Sequence, residues 1–277
     1  MTILHTGFGK QMYIHNSLRE SALASIHLEY GRANDTCYCL IRIPKFTVDG
    51  KPILPRVALT SADGSLNGKK CSALDYARRE NPIFTLNAGL FNTSTMVPKG
   101  QTIISGVPIT DTPMTDDMGA AISDAECYPL CIDKNGDLSA PYGRTVTAGQ
   151  MIAGGVVSAV TGWGQLIANF SQCPVNKFNE IVHPGKYIRQ VIGQYDNGDY
   201  LVCTVDASRN GKAANDAGMT YDSLAALLMA RGVKFAYSLD GGGSAETVLG
   251  LRQINPIYEG SAGRAVPTVI RFDVVDV

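Results

Sequence analysis

The sequence predicts an α+β fold: a single domain with a central, curved, mixed sheet, flanking helices and a long loop at the active site. Three observations carry this reading. Hairpin-type turn signals recur between apolar flanks, two helical segments stand out from a strand-rich background, and a strand–helix–strand unit fills residues 200–240. The chain has 277 residues, 45% hydrophobic and 18% charged, enough for one sizeable core, and its 29 Gly and 13 Pro suit a turn-rich β protein. No repeat, low-complexity run or Pro/Ser-rich linker divides it, so residues 1–277 read as one domain, with a layered sandwich as the alternative arrangement.

In chain order, Cys37 to Ile43 reads as a strand, and Val48-Asp49-Gly50-Lys51 as a type I′ hairpin turn. Ser72 to Glu80 is a short helix leading into a strand over Pro82 to Leu86. The stretch from Thr93 to Ala121 is long, polar and rich in Thr, Pro and Asp, which predicts a lid or binding loop. Two more turns of the same type are expected at Lys134-Asn135-Gly136-Asp137 and Asp196-Asn197-Gly198-Asp199. Tyr221 to Arg231 is the clearer helix, with Thr220 as N-cap, Leu224, Leu227 and Leu228 on one face, and Gly232 as its stop. A β-branched run over Val266 to Val275 closes the chain.

Charge and cysteine usage exclude several classes. Net charge is −1, from 24 basic and 25 acidic residues, and no basic stripe marks a nucleic-acid surface. No stretch approaches the roughly 20 apolar residues of a membrane helix, and the N-terminus lacks the basic and apolar regions of a signal peptide. A cytoplasmic or virion-associated protein is therefore expected. The seven cysteines include no CxxC and no histidine-completed zinc set, so reduced, partly buried thiols are expected. Asp116, Asp117, Asp124 and Glu126 cluster without calcium-loop spacing and read as a solvated face. No metal or other cofactor is expected.

Chemistry concentrates between Tyr200 and Glu246. Leu201 to Asp206 and Phe235 to Asp240 are apolar strands that each end in an aspartate, with the Tyr221 helix between them. A strand–helix–strand unit favours parallel neighbours, placing both carboxylates at one carboxyl edge, where ligands collect. Three glycines and a serine follow Asp240. Such a turn can adopt positive φ and gather N–H groups into an anion-binding nest, or it can simply join two strands. Glu246 lies on the same strand face as Ser244 and is a reserve acid, with an exposed strand residue as the competing reading.

Leu239-Asp240-Gly241-Gly242-Gly243-Ser244 resembles the signature of the phosphodiester glycosidase family. Leu86-Asn87-Ala88-Gly89-Leu90-Phe91-Asn92 is similar to its asparagine–glycine–phenylalanine block, Ile188 to Gly193 to its arginine strand, and Val205 to Arg209 to an Asp-Gly-Arg segment. Gly218-Met219-Thr220 and Gly263-Arg264-Ala265-Val266-Pro267 follow in the family's order, so the resemblance spans residues 80 to 275. Departures are Ala207 with an extra residue before Arg209, Leu90 at an aromatic position, and Ala245 after Ser244.

The resemblance implies a hydrolase that cleaves the glycosidic bond of a sugar-1-phosphodiester, with a sugar-phosphate or nucleotide-like substrate as partner. In that reading Asp240 is nucleophile or base, Asp206 the second carboxylate and Glu246 a reserve acid. Arg189, Arg264 and Arg209 would neutralise the departing phosphate. Asn87 and Asn92 would hydrogen-bond sugar hydroxyls, Gly241, Gly242, Gly243 and Ser244 would hold phosphate, and Trp163 would stack on the sugar. For each the competing reading is structural: a salt bridge, a turn cap or core packing. His5, His15, His27 and His183 fall outside these blocks, and no GxSxG elbow supports a serine hydrolase. A binding module that holds such a ligand without turnover, in a phage or cell-surface protein, is the alternative.

Overall fold

The computed structural model describes residues 18–113, 128–143, 145–174, 185–206, 217–255 and 263–275. Within them three antiparallel sheets share one core. The first has seven strands in the order β1 (His27–Ala33), β2 (Thr36–Ile43), β13 (Tyr200–Val205), β12 (Arg189–Gln194), β14 (Phe235–Ser238), β10 (Gly164–Ala168) and β11 (Ser171–Gln172). The second has five, in the order β16 (Arg252–Gln253), β15 (Thr247–Leu249), β4 (Phe84–Asn87), β17 (Thr268–Val274) and β3 (Ile53–Leu59). The third orders β6 (Val107–Asp111), β5 (Gln101–Ile104), β9 (Val156–Val160), β7 (Leu130–Asp133) and β8 (Leu138–Ser139).

The expected single mixed sheet is thus corrected: every pairing between these strands is antiparallel. The reason lies in the short connections. β12 and β13 are joined through Asp196 to Asp199, and so short a loop can only return the chain beside itself. That hairpin also sets β12 between β13 and β14, which run in the same direction but are not neighbours.

Ile41, Ile192, Tyr200, Val202 and Tyr237 from the first sheet pack on Leu86, Ile270 and Phe272 of the second and on Leu130 and Ile132 of the third. Each sheet also carries a helix on its outer face. α1 (Ala73–Glu80) covers the second sheet through Tyr76 and Ala77, α2 (Ala148–Ala153) the third through Met151, and α3 (Tyr221–Met229) the first through Leu224 and Leu228. Thr220 caps α3 as expected, through a bond from Ser223 N, and Ser72 caps α1 in the same way, through a bond from Asp75 N.

Turn types differ from expectation. Gly50, Gly136 and Gly198 have φ of 77°, 79° and 88°, while Asp49, Asn135 and Asn197 keep negative φ, so these are not type I′ turns. That type joins β1 to β2, where Asn34 and Asp35 both sit in the left-handed region at 52° and 61°. The polar stretch after Thr93 is not a plain loop either, since β5 and β6 form a hairpin inside it. The expected acidic cluster Asp116, Asp117, Asp124 and Glu126 lies outside the described residues.

Candidate active site

Asp240 stands two residues beyond β14, where the chain leaves the first sheet. Its peptide is pinned on both sides by the loop after β4. Asp240 N–H donates to the Ala88 carbonyl at 3.0 Å, and the Asn87 side-chain amide donates to the Asp240 carbonyl at 2.7 Å. The residue keeps part of its surface exposed, but its carboxyl is desolvated, and burial pushes its pKa up to about 6. The Ser244 hydroxyl, the Arg264 charge, the Gly241 N–H and the Lys99 charge act in the opposite direction and favour the ionised form.

The glycine turn is a single 3₁₀ turn over Gly242–Ser244, with Gly242 at φ 58°. Its N–H groups are largely committed. That of Gly241 serves the Asp240 carboxylate, that of Gly242 the Ile188 carbonyl, and that of Ser244 the Gly241 carbonyl. An open anion nest is therefore not what the turn forms, because these donors are spent on holding Asp240 and on docking the turn against the start of β12. A methyl on Gly241 would lie 2.5 Å from the Ile188 carbonyl oxygen, so the closeness of that docking is what requires glycine there. Gly241→Ala should cost about 1–3 kcal/mol and displace Asp240. Gly242→Ala adds the strain of a left-handed residue at φ 58°, about 1 kcal/mol. Melting curves and turnover of the two variants check this, and a more damaged Gly242→Ala would refute the docking role.

Cations surround the turn. Arg264 is partly buried and donates to the Ser244 hydroxyl at 3.3 Å. Lys99, absent from the sequence-derived set, emerges from the loop that the Phe91–Pro98 bridge closes. The Val-Pro-Lys-Gly stretch around it was its only signal. Arg189 lies 2% exposed at the first position of β12, donating to the Met219 and Gly185 carbonyls at 3.1 and 3.0 Å and stacking 3.8 Å above Tyr221. Burial lowers its pKa. Tyr221 senses both Arg189 and Asp240, so this stacked pair forms the flank of the site beneath α3, and burial raises its hydroxyl to about 12.

Several expected ligands have structural duties. Asn87 is buried, and its side-chain oxygen also accepts from Glu246 N–H at 3.1 Å, so its amide ties two backbones together instead of facing a sugar. Asn92 is exposed and accepts from the N–H groups of Ser94 and Thr95, both at 2.9 Å, closing its own Asx turn. Glu246 is 3% exposed and turned towards α1, where it accepts from Ala73 N–H at 2.7 Å. An acid at the Asp240 carboxyl is not its position. It is a buried cap on the N-terminus of α1.

Burial pushes the Glu246 pKa up to about 7 against an ordinary 4.5. The folded chain therefore keeps this proton to higher pH than the unfolded chain, and between pH 4.5 and 7 stability falls as pH rises. At about 1.4 kcal/mol per unit, the window is worth on the order of 3 kcal/mol. Glu246→Gln should flatten that slope in denaturant melts from pH 4.5 to 8, and an unchanged slope would refute the assignment.

Asp206 follows β13 at the same sheet edge as Asp240, as the sequence implied, but β12 lies between their strands. Alternation along β13 also turns it to the face opposite Arg189. There it lines a cavity of about 310 Å³ with Tyr30, Cys39, Thr204, Ile254 and Asn255. Trp163 N–H donates to the Ser238 carbonyl at 2.8 Å, which puts the indole beside the strand that ends in Asp240, partly buried against the α3 core. Arg209, His5, His15 and His183 lie outside the described residues, and His27 is exposed on β1. The six described cysteines are free, and burial raises Cys39 and Cys131 to about 11 and about 12. Among the described residues no group of His, Cys, Asp or Glu is arranged to hold a metal ion, and no helix is long and apolar enough to cross a membrane.

The family model described as phosphodiester glycosidase matches residues 80–272. A stretch of 84 residues is 34% identical to the SPbeta prophage-derived uncharacterized protein YomE of Bacillus subtilis strain 168, covering 30% of this chain and 12% of that protein's length. Among solved structures, the catalytic domain of zebrafish N-acetylglucosamine-1-phosphodiester alpha-N-acetylglucosaminidase, auto-inhibited by its pro-peptide, superposes with a TM-score of 0.65 at 17% identity, over 90% of this chain and 82% of that one. A hypothetical protein from Synechocystis gives 0.61 at 13% identity, over 90% and 61%. At these identities the likeness is one of fold.

Proposed function

The chain belongs to the phosphodiester glycosidase family, and from that premise we propose that it hydrolyses the glycosidic bond of a sugar 1-phosphodiester at Asp240. The observation that carries the reading is a desolvated carboxyl at a strand end, with a pKa of about 6, held among Ser244, Arg264 and Lys99. A base of that pKa is ionised at neutral pH and still basic enough to take a proton. Asp240 removes a proton from water as its oxygen bonds to the anomeric carbon. The bond from that carbon to the phosphate oxygen breaks, and the phosphate departs with the electron pair. A phosphate is a good leaving group, so the step requires charge neutralisation more than a second carboxylic acid. Arg264 and Lys99 supply that neutralisation, with the Ser244 hydroxyl beside them. Arg189 and Tyr221 position the flank, and Trp163 borders the sugar.

The alternative of binding without turnover is separated by experiment. Anomeric phosphodiesters of several sugars, among them α-linked N-acetylglucosamine, are incubated with the protein beside p-nitrophenyl glycosides. Release of free sugar from the phosphodiesters, at least a hundredfold faster than from the aryl glycosides, is expected. Tight binding with no release would favour the binding module, and a preference for aryl glycosides would refute the phosphate-centred site.

A further inference from the structure

A second cationic cavity, of about 750 Å³, lies away from the glycine turn, between α1, the β3 edge of the second sheet and the turn after β5. Arg19, Arg56 and Arg271 line it together with Tyr76, Glu80, Asn81, Ser105 and Asp273. Arg56 and Arg271 stand directly opposite each other across the β3–β17 pair. Like charges so placed repel unless something neutralises them. Arg271 is neutralised: Asp273 grips it with two bonds of 2.6 Å, and Glu80 lies 3.9 Å away. Glu80 in turn is held by Arg79 at 2.7 Å. Both carboxylates of the cavity are therefore already taken.

Two arginines remain. Arg19 donates through Nε and Nη2 to the Asn81 and Pro82 carbonyls, at 3.2 and 3.3 Å, and these acceptors are neutral. Arg56, on the edge strand β3, is exposed and lines the same cavity. Among the described residues that line the cavity, three arginines meet two carboxylates. Ile83, Ile104 and Val274 supply an apolar wall next to them.

We infer that this cavity binds a phosphorylated small molecule, its phosphoryl group held between Arg56 and Arg19 and its apolar part against Ile83, Ile104 and Val274. Guanidinium forks match the tetrahedral oxygens of a phosphoryl group two at a time. The volume falls in the range of small-molecule sites and exceeds what a bare phosphate fills. The inference stands apart from the reading of Asp240, since none of the residues around the glycine turn lines this cavity.

Calorimetric titration with inorganic phosphate and pyrophosphate tests it, on wild type, Arg56→Gln and Arg264→Gln, with sodium chloride at matched ionic strength as reference. Wild type and Arg264→Gln should both retain the site, whereas Arg56→Gln should weaken it tenfold or more and leave turnover unchanged. Should Arg56→Gln disturb folding, Arg56→Lys keeps the charge without the fork and should show a smaller loss in the same direction. Titration curves of Arg56→Gln that superpose on wild type would overturn the inference. So would heat no greater than sodium chloride gives, which would make Arg56 only a charged guard on an edge strand.

Discussion

Asp240→Asn should lower turnover of a sugar 1-phosphodiester by about 10³-fold or more while leaving the melting temperature within a few degrees of wild type. The change is isosteric and removes the basic oxygen while leaving the backbone bonds to Ala88 and Asn87 in place. Because burial holds the carboxyl against ionisation up to about pH 6, the wild-type rate should climb as pH rises through that value and level off above it. The variant should lack this limb, since it has no proton to lose there. Its stability at neutral pH should if anything rise, because the ionised carboxyl is the form that burial opposes. Rates and melts from pH 4.5 to 8 check both statements, and a variant that kept the acid limb would remove Asp240 from the chemistry.

Asn87→Ala should damage stability and turnover together. The substitution leaves the Asp240 carbonyl and the Glu246 N–H without their partners in a buried place, at about 1–3 kcal/mol each. It also frees the peptide that carries the reacting carboxyl, so a loss in kcat of about 10²-fold is expected. A sugar-binding asparagine would behave differently: KM would rise and the melting curve would stay. Steady-state kinetics beside a denaturant titration distinguish the two, and a pure KM effect would restore the sugar-contact reading.

Much of this was legible in the chain, for reasons that differ by level. The helix over Tyr221–Met229 was readable because its cap, Thr220, and its leucine face are local chemistry. Strands ending in Asp206 and Asp240 were readable from apolar runs, and their common edge from the direction of the chain. What periodicity does not carry is which strand becomes whose neighbour, and so β12 between the two aspartates went unseen. The duties of Asn87 and Glu246 were hidden for a related reason. An amide that bonds backbone and an amide that bonds a sugar are the same residue type, and only the sequence separation of 153 from Asn87 to Asp240, closed up by folding, tells them apart. Lys99 needed the Phe91–Pro98 bridge to bring its charge round to the site. The three-glycine run was recognisable, yet its N–H groups turned out to be engaged by the fold itself.

The glycine turn is also the point where the chain leaves the seven-stranded sheet at β14 and enters the five-stranded one at β15. Asp240 thus sits on a seam. Asn87 grips it from one sheet while Ile188 anchors the adjacent turn from the other. Its aim is then a property of how two layers seat on each other, and the tolerance of the seat is set far away, where Tyr237 and Ile192 meet Leu86 and Phe272 in the common core. A slip of a few tenths of an ångström between the layers would leave each sheet intact and the protein folded, but would turn the carboxylate off its line of approach. In such an architecture conservative repacking deep in the interior reaches the reaction before it reaches the melting curve.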